Sequence, residues 1–155
     1  MTFIDAVHNC GILLPTHEVA MRSPLAWVRI AGVVQVAIIA ANFVLPKKLR
    51  CRENLASVSP IIREIFVVHW VYIVFVLGIF ASLCFWFAPE LAGASPLGRF
   101  LAAVMAVFWL LRLPVQLFFY DRETRRQNRL ADAVFIAAVS YLGIVFTAAA
   151  LKVLR

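Results

Sequence analysis

The polar side chains set among apolar ones are where this sequence could do chemistry. Trp109, Arg112, Gln116 and Tyr120 follow one another at spacings of three and four, which puts them on one face of a helix. His69 and Tyr72 are three residues apart, Gln35 and Asn42 are two helical turns apart, and Asp121 and Asp132 bracket the segment after Tyr120. Such groups are costly in hydrocarbon unless partnered, so they are expected to turn inward. Antiparallel packing would let Asn42, His69, Arg112, Gln116, Tyr120 and Asp132 converge at one depth. That set combines a fixed cation, a titratable ring, and amide, phenol and carboxylate groups. It would suit an anionic headgroup, a quinone or a small carboxylate. The same residues also suit a purely structural network, with Arg112 paired to Asp121 or Asp132 and the amides joining helices.

Other chemistries find less in the sequence. A two-ligand haem would need Met105 opposite His69, the one histidine within a span. Met105 precedes Tyr120 by about 22 Å of helical rise, whereas His69 lies one or two turns inside the span, so the depths disagree. No nucleophile arrangement surrounds His69, and no residue is assigned a catalytic role. No cofactor is predicted, and a quinone is the one cofactor left open. Cys10, Cys51 and Cys84 show no metal-ligand spacing; Cys10 and Cys84 share a side, which leaves a disulfide between them open. His8, Cys10, His17 and Glu18 are ligand types without a defined spacing, and no metal site is predicted.

The elements that must position these residues follow from composition. Of 155 residues, 64% are hydrophobic, well beyond what one soluble core can hide. Crossing a ~30 Å hydrocarbon layer takes about 20 apolar residues of helix. Four stretches satisfy this, residues 24–45, 65–87, 97–119 and 133–151. The fold class is therefore an all-α integral membrane protein, an up-and-down bundle of four transmembrane helices over residues 23–155. Ser23-Pro24, Ser59-Pro60 and Ser95-Pro96 read as helix starts, a capping serine before a proline whose missing N–H costs nothing there. Pro114 should break the third helix beside Arg112, freeing the Leu110 carbonyl.

Charge sets the expected orientation. Lys47, Lys48, Arg50, Arg52, Arg63, Arg122, Arg125, Arg126 and Arg129 lie in the first and third loops, against Arg22, Arg29, Arg99, Lys152 and Arg155 on the other side. The richer side should be cytoplasmic, with both termini outside. Lys47, Lys48, Arg50 and Arg52, just past a span end, are the expected contacts to anionic lipid headgroups. A nucleic-acid partner would need a basic face on a soluble module, and the chain has no room for one. Residues 1–22 read as an outer-face segment, open to a true start at Met21, because they lack the basic, then apolar pattern of a signal peptide.

The run Leu45-Pro46, Leu55, Ser59-Pro60, Arg63, Ile65-Phe66 and Val68-His69, with Phe108-Trp109, Arg112, Gln116 and Tyr120-Asp121 beyond it, resembles a family of small uncharacterised four-span bacterial inner-membrane proteins over roughly residues 40–150. The resemblance implies a bacterial inner-membrane setting and carries no activity. The expected function is a non-catalytic membrane subunit or accessory protein with an anionic-lipid or quinone site, partnered by the bilayer and by other membrane subunits or further copies of itself. The alternative is a component of a membrane oxidoreductase or transferase using His69 and Arg112.

Overall fold

The computed structural model describes residues 18–48, 58–93, 95–119, 126 and 129–151. Its elements are α1 (Glu18–Lys48), α2 (Pro60–Trp86), a short α3 (Ala88–Ala92), α4 (Pro96–Pro114), a π-helical turn (Val115–Phe119) and α5 (Arg129–Ala150). Four helical stretches are long and apolar enough to cross a membrane: Pro24–Val44, Pro60–Trp86, Pro96–Phe118 and Arg129–Ala150. The chain is an all-α four-helix bundle, as hydropathy required.

Helix boundaries correct the hydropathy reading in three places. α2 begins at Pro60 rather than Ile65 and α5 at Arg129 rather than Ala133. The exposed Arg63, Glu64 and Arg129, which hydropathy leaves outside the spans, are carried inside the helices. Two of the three Ser-Pro signals mark starts. Ser95 caps α4 by accepting from the Gly98 N–H at 3.0 Å, whereas Ser59 makes no side-chain cap, and its carbonyl accepts from Ile62 and Arg63. Ser23-Pro24 is not a start: α1 is already helical from Glu18 and runs through Pro24. A proline that sacrifices one hydrogen bond did not outweigh the helix on either side.

Pro114 ends the α-helical register of α4. The Val115 N–H bonds back to the Arg112 carbonyl, three residues earlier, and Val115–Phe119 continue as a π turn. At the expected break the chain widens by one residue, a local change often found at functional sites.

The helices associate as two antiparallel hairpins. In the first, Gly32 of α1 lets the backbone approach Cys84 and Phe85 of α2. In the second, Gly143 of α5 lies under Leu110 of α4, and Arg99 Nε donates to the Ala150 carbonyl at 3.2 Å. Tyr141 of α5 reaches across to donate to the Trp27 carbonyl of α1 at 3.0 Å, and Phe80 of α2 meets Phe108 of α4 edge-on at 5.2 Å between centroids. α3 wedges between the hairpins, with Ala88 and Leu91 wholly buried.

The core lies toward this wedge end. Toward the opposite end, where α1 finishes and α2 begins, packing fades. Among the described residues none before Leu77 in α2, none before Val139 in α5 and none beyond Ile38 in α1 is buried. Beyond Trp109 in α4 and the π turn, the one buried residue is Gln116. We call this the loop end.

Candidate functional site

Two buried polar groups stand in the core itself. Gln35 continues the inward stripe Val28, Ala31, Ile38 of α1 and is fully buried. Its amide nitrogen donates to the Ala31 carbonyl and to the Cys84 sulfur, both at 3.3 Å, while its carbonyl oxygen has no partner among the described residues. Trp109 is likewise buried with its indole N–H unpartnered among them. The Cys84 thiol is free, so the disulfide with Cys10 is not formed at this residue. Cys10, Cys51, His8 and His17 lie outside the described residues, and Glu18 is described in its backbone alone.

The loop-end residues fall into two groups. On the second hairpin, Gln116 Nε2 donates to Asp132 Oδ1 at 2.7 Å, joining the π turn to the first turn of α5. Gln116 is 7% exposed, so this charge-assisted bond is made away from water. Asp132 also suits its place near a helix N-terminus, where free N–H groups favour negative charge. Arg112, half-buried, holds its guanidinium carbon 5.4 Å from the centre of the Phe135 ring, a cation–π distance. Phe135 went unnoticed in the sequence. Its spacing of three from Asp132, which places both on one face of α5, was the available signal.

On the first hairpin, Asn42 Nδ2 donates to the Ile38 carbonyl at 2.8 Å, and Trp70 Nε1 donates to the Asn42 carbonyl at 3.3 Å. Phe43 stacks edge-on against Trp70 at 5.1 Å. His69, next in sequence to Trp70, is exposed, as is Tyr72. No hydrogen bond among the described residues joins Asn42 or His69 to Arg112, Gln116 or Asp132.

Depth separates His69 from Arg112 as well. Counted from the Phe80–Phe108 contact, His69 is eleven residues toward the loop end, about 16 Å, and Arg112 four residues, about 6 Å. The expected convergence therefore holds for Arg112, Gln116 and Asp132, and His69 stands apart from it. Tyr120, Asp121, Arg50 and Arg52 lie outside the described residues, and of Lys47 and Lys48 only the backbone is described. Met105 is buried in the core while His69 faces outward, so these two do not oppose each other. Among the described residues no three His, Cys, Asp or Glu side chains form a metal-sized cluster.

The second hairpin thus carries a cation on an aromatic face beside a carboxylate–amide pair, at the edge of the packed core. That arrangement can donate several hydrogen bonds to oxygen atoms of a membrane-borne headgroup. No protein-family model, no curated protein and no solved structure matches this chain.

Proposed function

We propose that this protein is a non-catalytic integral membrane subunit or accessory protein of a bacterial inner membrane, and that the loop-end half of its bundle binds the oxygen-bearing headgroup of a membrane-resident molecule, an anionic lipid or a quinone. The observation that carries the reading is the juxtaposition of Arg112 over Phe135 with the Gln116–Asp132 bond on a π turn. An arginine, a carboxylate and an amide are each expensive in hydrocarbon, and of the three the amide of Gln116 lies on the π turn beside the other two. Core packing fades at this end of the bundle, where Arg112 is half-buried. The separation of His69 from Arg112 removes the main support for the oxidoreductase or transferase alternative.

The cations support an orientation with the loop end in the cytoplasm and both termini outside: nine lie in or beside the first and third connections against five on the opposite side. The exposed Arg63, Arg126 and Arg129 then meet the anionic cytoplasmic leaflet. The protein acts there together with other membrane subunits or further copies of itself.

Mass spectrometry of lipids and quinones that co-purify with the full chain and with Arg112→Leu tests the reading. Selective depletion of one headgroup class in the variant is the expected result, and an unchanged profile overturns it.

A further inference from the structure

α2 is the helix its own bundle covers least: 11% of its most apolar stretch is buried, against 28–33% in the other three spans. The residues it does bury, Leu77, Ala81 and Cys84, lie on one side. The opposite side repeats every seven residues. Val68, Tyr72, Phe75, Ile79, Ser82 and Trp86 follow at alternating steps of four and three, the a and d positions of a coiled-coil seam, with Tyr72, Ile79 and Trp86 at a. All but Ser82 are exposed. In a helix this apolar any stripe is apolar, so the repeat alone says little; the shape and charge of the residues in and beside the seam decide what it fits.

A groove of about 390 Å³ opens on this face, with Phe75, Gly78, Ile79 and Ser82 among its walls. These are successive d, g, a and d positions, the four residues that make the hole for an a-position knob of a parallel partner. Gly78 keeps it open: nothing beyond the local helix backbone lies within 4 Å of where its Cβ would stand. In an identical parallel helix the knob at this level is Ile79 itself, 44% exposed. Charge points the same way. Glu64 falls at g and His69 at the e position five residues on, the two positions that face each other across a parallel seam. Arg63, the remaining charged residue of α2, falls at f, away from it. Glu64 and His69 are exposed, and neither has a hydrogen bond or ion pair among the described residues. Each is costly alone in an apolar span, and a carboxylate that accepts from the imidazole of a facing copy relieves both. Insertion orients all copies alike, so a twofold axis along the membrane normal sets their α2 helices parallel and makes the contact twice.

We propose that this face of α2 is the interface of a parallel homodimer, with Ile79 of each copy seated in the hole of Phe75, Gly78, Ile79 and Ser82 of the other, and Glu64 of each copy bonded to His69 of the other. It deepens the reading that the protein acts with further copies of itself, and it stands apart from the ligand site at Arg112.

The test uses the full chain in vesicles of phosphatidylcholine and phosphatidylglycerol, where energy transfer between donor- and acceptor-labelled copies, followed on dilution with lipid, gives the dimer dissociation constant. Gly78→Leu fills the hole and should raise that constant about tenfold or more. Ile79→Ala, which removes the knob from an exposed position, should do the same and carries the comparison if Gly78→Leu misfolds. Glu64→Lys and His69→Glu each break the cross-seam bond and should weaken pairing alone; mixed, the two variants should pair with each other in preference to themselves. In a chain carrying Cys10→Ser and Cys51→Ser, whose Cys84 is buried, Val68→Cys at d should form an intermolecular disulfide on mild oxidation, and Val67→Cys, comparably exposed on another face, should not. Hole, knob and charge variants that all weaken pairing, with preferential pairing of the mixed charge variants, are the expected result. Energy transfer that none of them alters, or cross-linking equal at the two valines, overturns this interface. Absence of pairing at every lipid dilution overturns self-association as well and leaves the Arg112 site standing, since that site is tested by its co-purifying ligand.

Discussion

Alanine at three glycines separates the close contacts of this bundle by what each added methyl would strike. At Gly98, in the first turn of α4, the Cβ would overlap the Glu90 carbonyl of α3, standing 2.7 Å from its carbon and 2.8 Å from the Ser95 hydroxyl that caps the helix. The obstacle is backbone, held by a helix whose Ala88 and Leu91 are wholly buried, so it cannot swing aside. Overpacking in a well-filled site costs about 1–3 kcal/mol, and a collision with fixed backbone belongs at or above the top of that range, about 3 kcal/mol. At Gly143 the methyl would lie 2.8 Å from Leu110 Cδ2, the tip of a side chain that is partly exposed and can rotate. A cost of roughly 1 kcal/mol is expected there. At Gly78 nothing lies within 4 Å, and alanine should stabilise by about 0.5–1 kcal/mol through its higher helix propensity. Reversible unfolding of the full chain in mixed micelles should rank the variants Gly78→Ala, wild type, Gly143→Ala, Gly98→Ala from most to least stable. If Gly98→Ala lies within 0.5 kcal/mol of wild type, or if Gly78→Ala is the costliest, the wedge described for α3 is wrong.

Ser95→Ala should cost about 1 kcal/mol by removing a side-chain cap, whereas Ser59→Ala should change unfolding by a few tenths at most, since its hydroxyl caps nothing; equal costs would contradict the two geometries. A double-mutant cycle of Gln116→Leu and Asp132→Leu should return a coupling of about 1–3 kcal/mol, and a coupling near zero would mean the 2.7 Å bond is not made in the membrane. In a chain carrying Cys10→Ser and Cys51→Ser, Cys84 should resist maleimide in intact bilayers and react after unfolding in SDS, because it is wholly buried; rapid labelling of the intact protein would refute its place in the α1–α2 interface.

Much of the candidate site was legible before the fold. Arg112 and Gln116 stand out because charge and amide are rare within apolar spans, and Pro114 announces a break because it lacks an N–H. Antiparallel packing brought Gln116 and Asp132 into one expected group, but their hydrogen bond was decided by the fold, the sequence having offered Arg112 as the partner of Asp132. For Phe135 the sequence offers only its spacing of three from Asp132, because an aromatic ring in a membrane span is unremarkable until a guanidinium lies over it. His69 stands apart for a related reason: neither its outward face nor its offset in depth from Arg112 could be read before the register of α2 against α4 was set by the Phe80–Phe108 contact.

By itself the sequence determined the number of spans, two of the three helix starts at serine–proline and the position of the helical break, because these depend on local backbone chemistry and on the length of hydrocarbon to be crossed. Only the tertiary structure decided which face of each helix meets protein, that Pro114 is followed by a π turn, that α3 wedges the hairpins apart and that Gln35 and Trp109 belong to the core. The physical reason is the solvent. In water an apolar stripe marks the inward face of a helix, but lipid is as apolar as leucine, so a residue facing the bilayer and one facing another helix can be chemically alike. What tells them apart is shape: the glycines that admit a neighbouring backbone, and the fit of Phe80 against Phe108.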